Sequence, residues 1–67
     1  MKIKKGDKFV CIKKVVMNND WKDISYKKGF IYISEIEGCI TNDKLNTGHR
    51  WSRYTQSKKY FVKLKNN

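Results

Sequence analysis

The segment ISYKKGFIYISEI, residues 24–36, decides the fold class of this chain. Its second half, FIYISEI (30–36), is dominated by β-branched and aromatic residues, which are typical of strands. Its first half ends at Gly29 and predicts a turn that leads into this strand. Apolar residues do not recur at helical spacing over any long window of the chain. The sequence therefore predicts an all-β protein.

Short apolar runs separated by turn signals continue on both sides of this segment. Glu37 and Gly38 predict a tight hairpin turn in which Gly38 takes a positive φ. Residues 17–23 and 44–48 predict loops, and residues 55–59 predict a turn that holds one 3₁₀ turn. The predicted strands are five: KFVCIKKVV (8–16), FIYISEI (30–36), CITND (39–43), HRWSRY (49–54) and YFVKL (60–64). Because a sheet this small avoids open edges by curling, we expect a small five-stranded barrel.

The composition limits what the chain can be. Its 67 residues allow one domain, residues 1–67, whose small core leaves little room for a deep catalytic cleft. Sixteen Lys and Arg against six Asp and Glu give a net charge of +10, which attracts polyanions. The alternative is a Lys-rich surface that serves only solubility. No apolar run is long enough to span a membrane, and the first residues form no apolar leader, so we expect a cytoplasmic protein.

The two cysteines, Cys11 and Cys39, lie in apolar, strand-like runs. They form neither a CxxC pair nor a Cys/His set with metal-ligand spacing, so we predict no metal site. The sequence does not exclude a disulfide between them. Reduced thiols that pack as small apolar side chains fit a cytoplasmic protein better.

The residues that catalysis would need are sparse. His49 is the single histidine and has no acid beside it in the sequence. No serine lies in a Gly-x-Ser-x-Gly turn, and no phosphate-binding loop of the Walker type is present. We therefore predict a protein that is not an enzyme, with no catalytic residues and no cofactor.

The stretch GHRWSRY, residues 48–54, is the candidate binding site, and it holds both arginines of the chain. Strand alternation divides its side chains between two faces, His49, Trp51 and Arg53 on one and Arg50, Ser52 and Tyr54 on the other. If Trp51 lies in the core, Arg50 and Tyr54 are exposed. If Tyr54 lies in the core, the first face is an exposed basic and aromatic row that suits a nucleobase and a phosphate.

Two further groups belong to the predicted site. Trp21 lies in the polar loop 17–23, where it either forms a stacking surface with Tyr26 or folds back over one end of the barrel. Lys27 and Lys28 lie in a turn, from which both side chains can point outward and attract phosphates. The predicted ligand-binding residues are His49, Arg50, Trp51, Arg53, Tyr54, Trp21, Lys27 and Lys28.

The order of turns and strands resembles that of Src-homology-three domains. ISYKKGFIYISEI is similar to their diverging turn, of the type Leu-Ser-Phe-x-x-Gly, and the strand that follows it. SKKYFVKL (57–64) is similar to their ending, where a 3₁₀ turn with Ser and Tyr runs into the last strand. The resemblance implies a Src-homology-three-like barrel. True members bind proline-rich peptides beside acidic loops, whereas this chain is strongly basic, so we do not expect that ligand.

The chain also resembles a group of small phage-encoded proteins, most of which have no assigned function. The residues that carry this resemblance are Gly6, Asp7, Cys11, Ile12, Tyr26, Gly29, Tyr32, Ile33, Trp51, Tyr60, Phe61 and Leu64. Members of that group resemble the same small barrel. The resemblance therefore implies a fold and a phage origin more than a function.

Three functions agree with these features. The first, which we expect, is a nucleic-acid-binding module whose affinity falls steeply with salt. The alternative is a phage anti-defence protein that sequesters an anionic nucleotide, in a pocket between the subunits of a homo-oligomer, or that blocks a host defence protein by direct contact. The third is an assembly module that binds protein partners through its strand edges.

Overall fold

The structure, a computed structural model, describes residues 1–19 and 22–65. Its elements are the strands β1 (Lys8–Cys11), β2 (Val15–Asn19), β3 (Lys22–Tyr26), β4 (Ile31–Ile33) and β5 (Phe61–Lys63), with 3₁₀ turns at Trp51–Arg53 and Ser57–Lys59. The all-β prediction is confirmed. Among the described residues, neither helical turn is long and apolar enough to cross a membrane.

The strands form two antiparallel sheets. The larger sheet has the order β4-β1-β5, and the smaller one pairs β2 with β3. Within the larger sheet, Phe9 lies opposite Tyr32 on one side and Lys63 on the other. Because alternate residues of a strand face opposite sides, Phe9 and Cys11 point together toward the smaller sheet and are fully buried.

Aromatic side chains fill the space between the two sheets. Phe61 lies 4.8 Å from both Tyr26 and Trp51, measured between ring centroids, in edge-to-face contacts. Burial of a large apolar side chain contributes about 1.5–3 kcal/mol, so these rings dominate the stability of a chain this short. The buried core consists of Ile3, Phe9, Cys11, Val15, Ile24, Tyr26, Tyr32, Ile40, Trp51 and Phe61.

The prediction of a single strand at 8–16 followed by a loop at 17–23 is wrong. Residues 8–16 form parts of two strands, β1 and β2, and most of the predicted loop 17–23 lies in β2 and β3. The reason is that alternation continues through the polar residues. Met17 faces the core opposite the buried Ile24, whereas Asn18 and its partner Asp23 are exposed on the other side.

The predicted strand at 39–43 is also absent as a regular element. This segment runs beside β4, where Thr41 N–H donates a 3.1 Å hydrogen bond to the carbonyl of Ile33. Residues 39–42 are nevertheless buried, which explains why their sequence resembles a strand. A tight turn at 37–38 is confirmed, and Gly38 has the expected positive φ of 87°, but the predicted hairpin is not formed because no regular strand follows the turn.

Two asparagines organise the loop that follows this segment. Asn42 Nδ2 donates to Asn46 Oδ1 at 2.9 Å, and Asn46 Nδ2 donates to the carbonyl of Asp23 at 2.9 Å. These bonds attach the loop to β3. At its tip, Leu45 has a positive φ of 58° and is 86% exposed.

Both cysteines are free and buried. Burial raises the pKa of the Cys11 thiol, which also donates to the carbonyl of Lys13 at 3.0 Å. A protonated, enclosed thiol reacts slowly. The Cys11 thiol therefore serves as a small packing group of the core.

Candidate functional site

The predicted strand 49–54 is wrong, because residues 51–53 form a 3₁₀ turn. Tyr54 N–H donates to the carbonyl of Trp51 at 3.1 Å, which closes that turn. The Ser57 hydroxyl then donates to the carbonyls of both Trp51 and Tyr54, and a second 3₁₀ turn follows at Ser57–Lys59. The hydroxyl of Ser57 thus joins the two turns.

A spacing of three residues replaces the alternation expected for a strand. Side chains three apart lie on the same side of a 3₁₀ helix. Trp51 and Ser57 are buried, and Tyr54 and Tyr60 are half-buried against the same cluster. Every third residue from 51 to 60 therefore faces inward.

Trp51 occupies the core, which decides between the two arrangements that the sequence left open. Its side chain has no exposed surface, and its ring lies 5.7 Å from Tyr26 and 4.6 Å from His49. A buried indole cannot stack on a nucleobase. The predicted ligand contact of Trp51 is therefore replaced by a supporting role beneath its neighbours.

A partly exposed aromatic surface is formed by Tyr54 and Tyr60 instead. Their rings are stacked, with centroids 6.2 Å apart and planes inclined by 22°. The Lys13 ammonium lies 5.6 Å from the centroid of Tyr60, within the range of a cation–π contact. We call this group the tyrosine surface and include in it His49, whose ring lies beside Tyr54, and Arg53, which precedes Tyr54 in the chain.

The buried ring of Trp51 contacts both tyrosines and orders the tyrosine surface. Tyr54 lies 5.6 Å from Trp51, and Tyr60 lies 5.8 Å from it. Side-chain hydrogen bonding to Tyr60 raises the pKa of the Tyr54 hydroxyl above its ordinary value. The Tyr54 hydroxyl is therefore neutral at physiological pH, and both rings are held in place by Trp51 before any ligand arrives.

His49 contributes a ring to this surface but no positive charge at neutral pH. Burial lowers the pKa of its imidazole from the ordinary value of 6.5. Its Nε2 atom is buried and has no hydrogen-bond partner among the described residues. The ring lies 5.6 Å from Tyr54 and helps to fix that side chain.

The two arginines, both exposed, are placed differently. Arg53 belongs to the tyrosine surface, whereas Arg50 lines a depression of about 490 Å³ together with Lys2, Glu37, Gly38 and Ser52. A Cβ at Gly38 would lie 2.9 Å from Ser52 Oγ and 3.4 Å from Arg50 Nη1. The missing side chain of Gly38 therefore leaves room for the side chains of Ser52 and Arg50.

Lys27 and Lys28 lie near the same end of β1 as the tyrosine surface. Gly29 N–H donates to the carbonyl of Cys11 at 2.7 Å, and Ile12 N–H donates to the carbonyl of Tyr60 at 2.8 Å. The turn that carries the two lysines and the tyrosine surface therefore flank the end of β1 on opposite sides. Lys27 itself extends over Phe30, 5.5 Å from its ring centroid.

Sequence reasoning missed Tyr60 and Lys13, and it left open whether Trp51 lies in the core. Tyr60 was placed in the last strand, which begins only at Phe61. The spacing of Trp51, Tyr54, Ser57 and Tyr60 was the signal that could have found this surface. The prediction for Trp21 falls outside the described residues.

No group of three or more His, Cys, Asp and Glu that could hold a metal ion occurs within residues 1–19 and 22–65. Comparisons of the chain with models of protein families, with curated proteins and with solved structures found no significant match.

Proposed function

We propose that this chain is a small, non-enzymatic binding module that engages nucleic acid through the tyrosine surface. The observation that carries the proposal is the stacked pair Tyr54 and Tyr60, with Lys13 5.6 Å from one ring, in a chain of net charge +10. Aromatic side chains stack on bases of any sequence, and basic side chains attract the backbone.

The half-buried state of the two tyrosines suits this role. Because contacts with Trp51 hold both rings, little side-chain entropy is lost when a base stacks on them. Stacking of one base on an aromatic side chain contributes about 1–3 kcal/mol. Arg53, in the first 3₁₀ turn, precedes Tyr54 in the chain, and Lys58 and Lys59, in the second, precede Tyr60; all three are exposed cations.

We also propose that the two sheets close into a barrel and that the protein is encoded by a phage. The position of β1 between β4 and β5, and the 3₁₀ turn just before β5, support a closed barrel of the Src-homology-three type. The sequence resemblance supports a phage-encoded protein that acts in the host cytoplasm.

Fluorescence anisotropy with a labelled single-stranded oligonucleotide tests this function. We expect binding whose affinity falls by orders of magnitude between roughly 50 and 200 mM salt, because counterions are released from the phosphates. The variant Tyr54→Leu/Tyr60→Leu should weaken binding at least tenfold. Lys13→Gln should weaken it more than Lys44→Gln, which removes the same charge from a distant loop.

The alternative function is the sequestration of a small anionic nucleotide. It is favoured by the depression of about 490 Å³ beside Arg50, Lys2 and Ser52, since small-molecule sites span roughly 300–1,000 Å³. Calorimetry with linear and cyclic nucleotides tests it. Binding of one nucleotide that is lost in Arg50→Gln but kept in Arg53→Gln would favour this function over the first. If neither oligonucleotide nor nucleotide binds, both proposals are wrong and direct contact with a host defence protein takes their place.

A further inference from the structure

The outer face of the sheet β4-β1-β5 is apolar apart from Lys8 at one end of β1. Alternation turns Val10 of β1 away from the core, and the register places it opposite Ile31 of β4 and Val62 of β5. These three side chains form a row across the sheet. Ile33 and Ile12 extend the face above and below this row, and Leu64 follows Val62 on the same side. We call these six residues the outer face.

Four of these six side chains are strongly exposed. Ile12, Ile31, Ile33 and Val62 are each between 41% and 60% exposed. An antiparallel sheet with one face in water normally carries polar residues on that face. The smaller sheet follows this rule on most of its outward positions, where Val16 is accompanied by Asn18, Asp23 and Ser25. The apolar character is therefore specific to the larger sheet.

The charges around the outer face are predominantly positive. Lys8 projects from β1 opposite Ile33, and Lys27 and Lys28 lie in the turn that precedes β4. Asp7 is already paired with Lys63 at 2.9 Å and is largely buried. Glu35, just beyond β4, is the one exposed acid next to these strands in the sequence.

This distribution disfavours a second copy of the chain as the occupant of the outer face. A twofold dimer through this face would bring Lys8 and the surrounding lysines of two chains together, each chain with a net charge of +10. Like charges placed across an interface oppose association. A partner with acidic residues around an apolar centre would instead match both the apolar surface of the outer face and the positive charges around it.

We infer that the outer face is a docking surface for a protein partner whose contact region is apolar at its centre and acidic at its rim. This surface shares no residue with the tyrosine surface. Together with the proposed nucleic-acid ligand of the tyrosine surface, this docking surface would make the chain an adapter that joins an acidic protein to that ligand. The docking surface itself involves only residues of the outer face and the lysines around it.

A synthetic amphipathic peptide with leucine on one face and glutamate on the other tests this inference. NMR spectra of the ¹⁵N-labelled chain should show shifts concentrated on the amides of β1, β4 and β5. The variant Ile31→Thr/Val62→Thr keeps β-branched residues at exposed positions and should weaken binding at least tenfold. Val16→Thr, on the smaller sheet, is the matched control and should leave the affinity unchanged.

Several results would overturn the inference. Absence of peptide binding at low salt would do so, as would shifts centred on Tyr54 and Tyr60. Equal binding of a peptide with glutamine in place of glutamate would remove the acidic rim from the proposal. A dimer in analytical ultracentrifugation that becomes monomeric in Ile31→Thr/Val62→Thr would identify a second copy as the occupant. Dispersed NMR spectra of each variant establish that it is folded.

Discussion

Trp51 and Tyr26 are joined in the core by a hydrogen bond of 3.0 Å from the indole N–H to the phenolic oxygen. The Tyr26 hydroxyl in turn donates to the carbonyl of Ile40. Burial raises the pKa of Tyr26 well above its ordinary value, so the hydroxyl keeps its proton. One phenol thereby ties together β3, the first 3₁₀ turn and the segment beside β4.

Replacement of this phenol by a benzene ring should be costly. Tyr26→Phe leaves the indole N–H of Trp51 and the carbonyl of Ile40 buried without a partner. Each unsatisfied group costs about 1–3 kcal/mol. We expect the free energy of unfolding, measured by urea denaturation, to fall by about 2 kcal/mol or more. Tyr54→Phe, which removes a half-buried hydroxyl, is the control and should cost less. Equal losses in the two variants would contradict the role of Tyr26.

Replacement of Gly38 by alanine is expected to cost more stability than replacement of Gly29, although the two glycines have the same φ. Gly29 and Gly38 both have a φ of 87°, so alanine at either position costs about 1–2 kcal/mol for the left-handed conformation. Only at Gly38 would the new Cβ collide, at 2.9 Å, with Ser52 Oγ. Overpacking costs typically about 1–3 kcal/mol, so Gly38→Ala should destabilise the protein more than Gly29→Ala.

A double-mutant cycle separates the collision from the backbone strain. If the hydroxyl of Ser52 is the obstacle, Gly38→Ala/Ser52→Ala should recover the part of the loss that exceeds that of Gly29→Ala. Additive losses in thermal or urea unfolding would show that the Ser52 contact is unimportant.

His49 should make stability fall in mild acid. Because burial lowers its folded-state pKa below the unfolded value of 6.5, the unfolded chain takes up a proton first as the pH decreases. The stabilising contribution is complete above pH 6.5 and is lost as the pH falls through the folded pKa. Urea unfolding between about pH 7 and 5 measures the loss, and NMR titration of the single imidazole measures the pKa. In His49→Phe, this pH dependence should disappear; its persistence would assign the effect to other groups.

Leu45 carries a backbone cost that another side chain would avoid. Leucine in the left-handed region costs about 1–2 kcal/mol, whereas asparagine adopts it readily. Leu45→Asn should therefore raise the free energy of unfolding by up to about 1 kcal/mol. Leu45→Ala removes the same exposed side chain but keeps the strain, so it should leave stability nearly unchanged. A gain in both variants would point to the loss of an exposed leucine as the cause.

The predictable part of this fold lies where local pattern and tertiary contacts agree. The turn at Gly38, the strand after Gly29 and the last strand before Leu64 were all expected from β-branched and aromatic runs bounded by turn residues. The prediction of a loop at 17–23 is wrong because the polar residues Asn18 and Asp23 face outward from an alternating pair of strands. Composition alone does not separate that arrangement from a loop.

The sequence predicts that residues 48–54 belong to the candidate site, but it does not predict the 3₁₀ turn that arranges their side chains. Residues 48–54 do contribute to the tyrosine surface, yet strand alternation gave the wrong set of neighbours. The position of Trp51 is decided by Tyr26, Phe61 and Ser57, which are distant in the sequence or were assigned to other elements. A search for spacing by three residues would have united Trp51, Tyr54 and Tyr60.

The pairing of β1 with β5 has a consequence for how the chain folds during synthesis. Phe9 and Cys11 lie opposite Lys63 and Phe61, so one side of the central strand has no neighbour until almost the whole described chain has been translated. Pairings this distant along the chain slow folding, because a large loop must close before they can form. During synthesis, Val10 therefore has no partner on the β5 side until Val62 has been translated. The sheet β4-β1-β5 can form completely only after Lys63 has left the ribosome.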